Sequence, residues 1–230
     1  MSERPTDQEL IEEAKSLLEK LRGEFVDRLE PVHPTPRARL LQIYEVWRQA
    51  SLRRIVDLAD AAISMFEQYR LVPACTLTRG VFETVGVQYY IYKKIVEYTE
   101  NPNPESIFKL LSAAVFGRKD ADSWPDKPIQ VLTAIDHMDK EFKVLRGEYD
   151  HLCEYAHPNL KGGFGAYVCQ EGEELEAHFG NNPLGLDMAT WGLVPLRIIL
   201  VIGVEINNRL CDFHPHFVAM AEKHAPDHPL

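Results

Sequence analysis

The chain has 230 residues, 45% of them hydrophobic and 26% charged, with a net charge of −10. That is the make-up of a globular protein long enough to bury one sizeable core. Such an acidic balance disfavours a duplex-DNA or other polyanion-coating protein, whose surface is broadly basic, and leaves open only a local basic pocket.

The first residues, MSERPTDQELIEEAK, lack an apolar stretch of the secretory kind. From Thr6 to Leu29, apolar residues at Leu10, Ala14, Leu17, Leu21 and Phe25 keep the period of an amphipathic helix, which occupies residues 1–30 and is capped by Asp7 or Thr6. Pro31, Pro34 and Pro36 then interrupt any helix and predict a linker or turn.

Residues 37–70 contain neither proline nor glycine. Their stripe from Leu40 through Tyr44, Trp47, Ile55, Leu58 and Met65 alternates steps of three and four, which predicts a single helix about 50 Å long. Ends that far apart expose surface to a partner, so a homodimer is expected. The aromatic and Met positions along it are read as core packing rather than as a ligand box. Leu71-Val72-Pro73 predicts a tight connection into a helix over 74–92, ACTLTRGVFETVGVQYYIY, which is apolar on almost every side.

Asn101-Pro-Asn-Pro104 breaks that helix, and residues 104–116 resume another. A polar loop over 117–127 follows, in which Trp124-Pro125 is expected to fold back on the core. Residues 128–145 predict a further helix, leading through Arg146-Gly147 into 148–156 and ending at His157-Pro158. The pattern then changes: 164–169 and 175–179, separated by an acidic glycine-containing stretch, predict a β-hairpin that must either lie on a helix or pair with another chain. Residues 184–211 predict a last long helix; its apolar stretch 192–206 is too short to span a bilayer and carries Pro195, Arg197 and Glu205. His214-Pro-His216 and the tail predict a short closing helix and a frayed end. The fold expected is all-α: one domain over 1–230, a bundle with long helices and one small β-hairpin insertion at about 164–179.

Chemistry is looked for first at Arg79 and Glu83, the two charges of the central apolar helix. Four residues apart, they share a face, in the less favourable order for such a pair. A structural ion pair lowered into the core and a functional pair are both consistent with this spacing. The second stretch is Arg146-Gly-Glu-Tyr-Asp-His-Leu-Cys-Glu-Tyr-Ala-His157-Pro, where helical steps align Arg146, Asp150, Cys153 and His157, the last placed where the helix dipole favours a charged imidazole. His157 also has a plain role as a cap on the last carbonyls, and Tyr149 as a core aromatic. His151 lies roughly 140° round the helix from Arg146. Asp136, His137, Asp139, Glu141, His151, Glu154 and His157 supply metal-ligand chemistry but no metal-binding spacing, so no metal and no cofactor are expected. Gly162-Gly-Phe-Gly165 lacks the features of phosphate and dinucleotide loops and is read as the turn leading to the hairpin. The cysteines, Cys75, Cys153, Cys169 and Cys211, form no Cys-x-x-Cys and are read as reduced cytoplasmic thiols.

Together, LTRGVFETV and YDHLCEYAHPN resemble a bacterial family catalogued as a domain of unknown function, over roughly residues 71–161. In that family the central helix reads Leu-x-Arg-x-x-x-Glu and the later one Tyr-x-x-Leu-Ser-x-x-x-His-Pro; Cys153 stands here at the Ser position. The resemblance implies a site of Arg79, Glu83, Tyr149 and His157 that binds a small-molecule ligand or a partner. A looser similarity is to HEPN proteins, helical dimers whose Arg-x4–6-His motif cuts RNA in toxin–antitoxin and phage-defence systems. Arg146 and His151 match that spacing, with Gly147 where those proteins carry a polar residue. This second resemblance implies a metal-independent endoribonuclease acting through a histidine as general acid or base, with Arg79 or Arg146 on the phosphate.

Overall fold

The computed structural model describes residues 5–30, 35–117, 128–171, 176–181 and 185–225. The expected Trp124-Pro125 fold-back, most of the Pro31–Pro36 linker, the tip of the hairpin, the Asn182-Pro183 stop and the tail after Ala225 lie outside these residues. The architecture is an all-α bundle with one two-stranded sheet, as the sequence predicts.

Helix α1 (Asp7–Arg22) begins with a capping box. The Thr6 hydroxyl accepts from the Glu9 N–H, and the Glu9 carboxylate accepts from the Thr6 N–H at 2.8 Å. The helix ends at Gly23 rather than continuing to Leu29. Buried Gln49 from the next helix holds the departing backbone there, accepting from the Val26 N–H and donating to the Glu24 carbonyl. Helix α2 (Pro36–Glu67) starts under a Thr35 cap with Pro36 at its first position and runs unbroken for 32 residues. It stops in a Schellman turn: the Tyr69 N–H reaches the Phe66 carbonyl and the Arg70 N–H the Met65 carbonyl, each at 2.9 Å, with Tyr69 itself left-handed at φ 56°.

Helix α3 (Leu71–Glu100) is the bundle axis. Leu71, Ala74, Cys75, Thr78, Val81, Phe82, Val85, Tyr89, Ile91 and Ile95 are all buried, because α3 has neighbours on nearly every side. Helix α2 runs back along it, with Leu58 on Gly80 and Arg54 on Thr84. Helix α4 (Pro104–Phe116) starts where Asn103 accepts the Ser106 N–H.

Helices α5 (Val131–Glu141) and α6 (Leu145–Ala156) correct the expected helix over 128–145. The chain breaks at 142–144, where Val144 sits at φ 76°, and Gly147 lies inside α6 rather than before it. Nothing in the local composition signals that break. Phe142 is held instead by an edge contact with Tyr89 and by the Arg209 guanidinium over its ring, while Asp139 accepts the Arg146 N–H and caps the new helix.

A π-helical turn (Leu160–Phe164) and a single α turn, α7 (Gly165–Tyr167), occupy positions expected to enter the hairpin or to start its first strand. Strands β1 (Val168–Glu171) and β2 (Glu176–Phe179) pair antiparallel, Val168 opposite Phe179 and Glu171 opposite Glu176. A second π-helical turn (Ala189–Leu193) leads into α8 (Val194–His224). This last helix follows α3 in parallel, with Gly203 on Val85 and Phe213 on Tyr92. It runs straight through Pro215, where the sequence predicts a break. A proline there forfeits a backbone hydrogen bond, and burial of Phe217, Met220 and Ala221 beyond it outweighs the loss. Residues 189–224 are long and apolar enough to cross a membrane, yet 56% of the apolar window is buried inside the protein, as befits a core helix.

Val144 is an exposed β-branched residue in a left-handed conformation, which costs roughly 1–2 kcal/mol. Val144→Gly is expected to raise the unfolding free energy by about 1 kcal/mol in urea titrations; a loss of stability would mean that the valine side chain earns its place through packing.

Candidate functional site

Because α3 and α6 run against each other, the two motif stretches meet. Arg79 and Glu83 point from α3 to its interface with α6, and their ion pair is 3.0 Å from Nε to Oε1. The Tyr149 hydroxyl of α6, on a ring that is 3% exposed, donates to the same Glu83 Oε1 at 3.1 Å. The Arg79 guanidinium carbon lies 5.7 Å from the centre of the Tyr149 ring. Cys153, one turn on, completes the group. The sequence marks it by its helical step from Asp150 and as the residue at the Ser position of the family that the motif resembles.

The pair is not lowered into the core: the Arg79 and Glu83 side chains are 30% and 28% exposed. The attraction is therefore screened, worth about 0.2–1 kcal/mol rather than the several of a deeply buried pair. Burial works against the charge on Arg79, but the Tyr149 hydroxyl, Cys153 and Glu83 outweigh it and raise its pKa. Burial pushes the Tyr149 phenol up to about 12, so it is a neutral donor at physiological pH. The Cys153 thiol is also pushed up, chiefly by burial, with Arg79 pulling the other way; it is not an activated nucleophile. Among the described residues the Arg79 guanidinium meets one carboxylate, Glu83, and the Tyr149 hydroxyl.

His157 does not join this group. It is the C-cap of α6, with extended backbone at φ −89° and ψ 144°, so its side chain leaves the helical face on which the spacing places it, and it is exposed. It makes no side-chain hydrogen bond or ion pair among the described residues.

Arg146 and His151 are separated by the helix itself. Arg146 is held by Asp150 through Nε at 2.9 Å and by Asp136 through a terminal nitrogen. His151 turns to the far side and stacks on Trp191 of the second π-helical turn, ring centres 4.3 Å apart and planes 14° from parallel, with the edge of Tyr155 alongside. Burial, then the Lys161 ammonium, lowers the His151 pKa, while Glu154 pulls it up. Trp191 was invisible to motif reading because it arrives from a distant segment, and Asp136, noticed only as a possible metal ligand, pairs instead with Arg146. Of the other candidate metal ligands, Glu141 is taken by Tyr89, Lys93 and Arg209; among the described residues no three His, Cys, Asp or Glu side chains gather closely enough to hold a metal ion.

Comparison with family models, with curated proteins and with solved structures gives no match.

Two pH effects follow from these positions. A tyrosine whose folded pKa exceeds its unfolded value of about 10 stabilises the fold below that value and loses the contribution as pH rises. Stability is therefore expected to fall between pH 10 and about 12, and Tyr149→Phe to show a shallower fall in urea unfolding over that window. A histidine with a lowered folded pKa behaves oppositely, its contribution being present above its unfolded value near 6.5 and lost on acidification. His151→Phe, which keeps a ring on Trp191, is expected to flatten the stability profile from about pH 6.5 down to 5; an unchanged slope would show that His151 titrates normally.

Proposed function

We propose that the chain is a cytoplasmic binding protein whose Arg79–Glu83–Tyr149 face receives a ligand or partner segment through an acceptor group offered to Arg79. One observation carries the reading. Glu83 Oε1 takes both the Arg79 Nε–H and the Tyr149 O–H, so the guanidinium is oriented between one carboxylate and the Tyr149 hydroxyl, and that is the only carboxylate it meets among the described residues. A guanidinium with more N–H donors than these two contacts use fits an incoming carboxylate or phosphate, and one already fixed in place loses little freedom on binding. Partial exposure lets the acceptor come from outside. The paired motifs that form this face support membership of the helical family of unknown function they resemble.

The alternative is a dimeric, metal-independent ribonuclease of the HEPN kind in a toxin–antitoxin or phage-defence setting. Its support is the Arg146–His151 spacing. Weighing against it are the two carboxylates that neutralise Arg146 and the stacking of His151 away from it.

The test titrates the full chain with inorganic phosphate, succinate and an acidic peptide, following backbone amide shifts and thermal stability. At least one probe is expected to stabilise the wild type, with affinity reduced about tenfold or more in Arg79→Ala and unchanged in Arg146→Ala. Equal responses from the two variants would overturn the assignment. In parallel, purified wild-type protein is expected to leave total RNA intact and its expression to leave growth unaffected. Cleavage or growth arrest that disappears in His151→Ala or His157→Ala would transfer the function to the ribonuclease reading.

A further inference from the structure

Pro36 and Pro104 open α2 and α4 at the same end of the bundle, and Ala225, the C-cap of α8, shares a cleft with them. The cleft holds about 500 Å³, inside the roughly 300–1,000 Å³ range of small-ligand sites. Its apolar lining is completed by Leu40, which is buried, and by Phe108, a large aromatic left 41% exposed. Proline fixes its own backbone and carries no N–H, so both helices present a rigid apolar start to this cleft. Walls set in place before a ligand arrives lose little freedom on binding.

Two charges of opposite sign line the same cleft, Arg39 near the start of α2 and Glu105 in the first turn of α4. Both are exposed, and neither side chain makes a hydrogen bond or ion pair with the other or with any other described residue. Their electrical settings differ. The positive end of a helix dipole favours Glu105 and opposes Arg39. The first turn of α2 carries no acidic residue, so nothing in that turn offsets the guanidinium. Arg39 is thus a cation at an apolar cleft to which the fold supplies no anion.

We infer that this cleft binds a free α-amino acid with an apolar side chain. Arg39 takes the carboxylate through paired N–H donors, Glu105 takes the ammonium, and the ligand side chain lies against Phe108 and Leu40 between the two prolines. The pairing of signs selects this ligand. A phosphate is repelled by Glu105, an apolar acid leaves Glu105 without a partner, and an apolar amine leaves Arg39 without one. Only a free amino acid carries both charged groups on one carbon, since a peptide bond consumes one or the other. The site is separate from the Arg79 face: Leu58, which touches Gly80 beside Arg79, stands about 28 Å along α2 from Arg39 at 1.5 Å per residue.

Titration of the full chain with L-phenylalanine, followed by backbone amide shifts, is the test, with circular dichroism confirming that each variant is folded. Three probes each lack one element of the ligand: 3-phenylpropionate the ammonium, phenethylamine the carboxylate and glycine the side chain. L-Phenylalanine is expected to bind and to shift amides around Arg39 and Glu105, and each probe to bind about tenfold or more weakly. Arg39→Gln should erase the preference for L-phenylalanine over phenethylamine, and Glu105→Gln the preference over 3-phenylpropionate. Phe108→Ala, at a half-exposed position, should weaken L-phenylalanine about tenfold. No response to L-phenylalanine or L-leucine at millimolar concentration, or 3-phenylpropionate bound as tightly as L-phenylalanine, would overturn the proposal. None of these variants alters Arg79, Glu83 or Tyr149, so the outcome is independent of the reading of that face.

Discussion

The structure depends on the burial of the middle of α3, residues 74–92. Packed among α2, α4, α5, α6 and α8, that stretch has almost no solvated face, so its sequence is apolar almost all the way round and the charges within it meet a neighbouring helix. Arg79 and Glu83 do so at the interface with α6, where both stay partly exposed. Tyr149 then finds its partner on α3 because the antiparallel course of the two helices brings their motif turns level.

The arginines of the protein divide by how fully they are engaged. Arg146 lies between Asp136 and Asp150, and Arg209 between Glu141 and Glu205, ties that fasten α5 to α6 and α5 to α8. At the second junction the Arg209 hydrogen bond is the main influence lowering the Glu141 pKa, with Tyr89 adding a hydrogen bond at 2.8 Å. In each of these networks one guanidinium answers two carboxylates. Arg79 has a single carboxylate, and that carboxylate is shared with a tyrosine. The contrast between a guanidinium held by two carboxylates and one that shares a single carboxylate with a tyrosine, rather than burial alone, separates framework from site.

What the sequence disclosed was local chemistry. Thr6 declares a helix start because a cap is completed within one turn of chain, whereas Pro36, expected to belong to the linker, opens α2 under a Thr35 cap. The Arg79–Glu83 pair was legible for a related reason, since polar residues at helical spacing in an apolar helix must find partners; its meeting with Tyr149 was expected only from the resemblance of the two motifs to a family. The break at Val144 and the passage of α8 through Pro215 were not legible: the first rests on Phe142 packing under Arg209, the second on burial of residues beyond the proline. His157 misled because helical phase was extended one residue past the end of the helix, where the backbone has already turned. The stacking of His151 on Trp191 joins segments forty residues apart, and no periodicity encodes it.

Gly162 ties these parts together. It sits against the Tyr155 and His157 carbonyls with no room for a β-carbon, so the π-helical turn is seated directly on the last turn of α6. The hairpin is thus rooted in the helix that carries Tyr149 about two turns away, and in mechanical language the two form a single lever with Gly162 as its bearing. A load on the strands arrives at the Glu83 carboxylate through one glycine and the stretch of α6 from Tyr149 to Ala156.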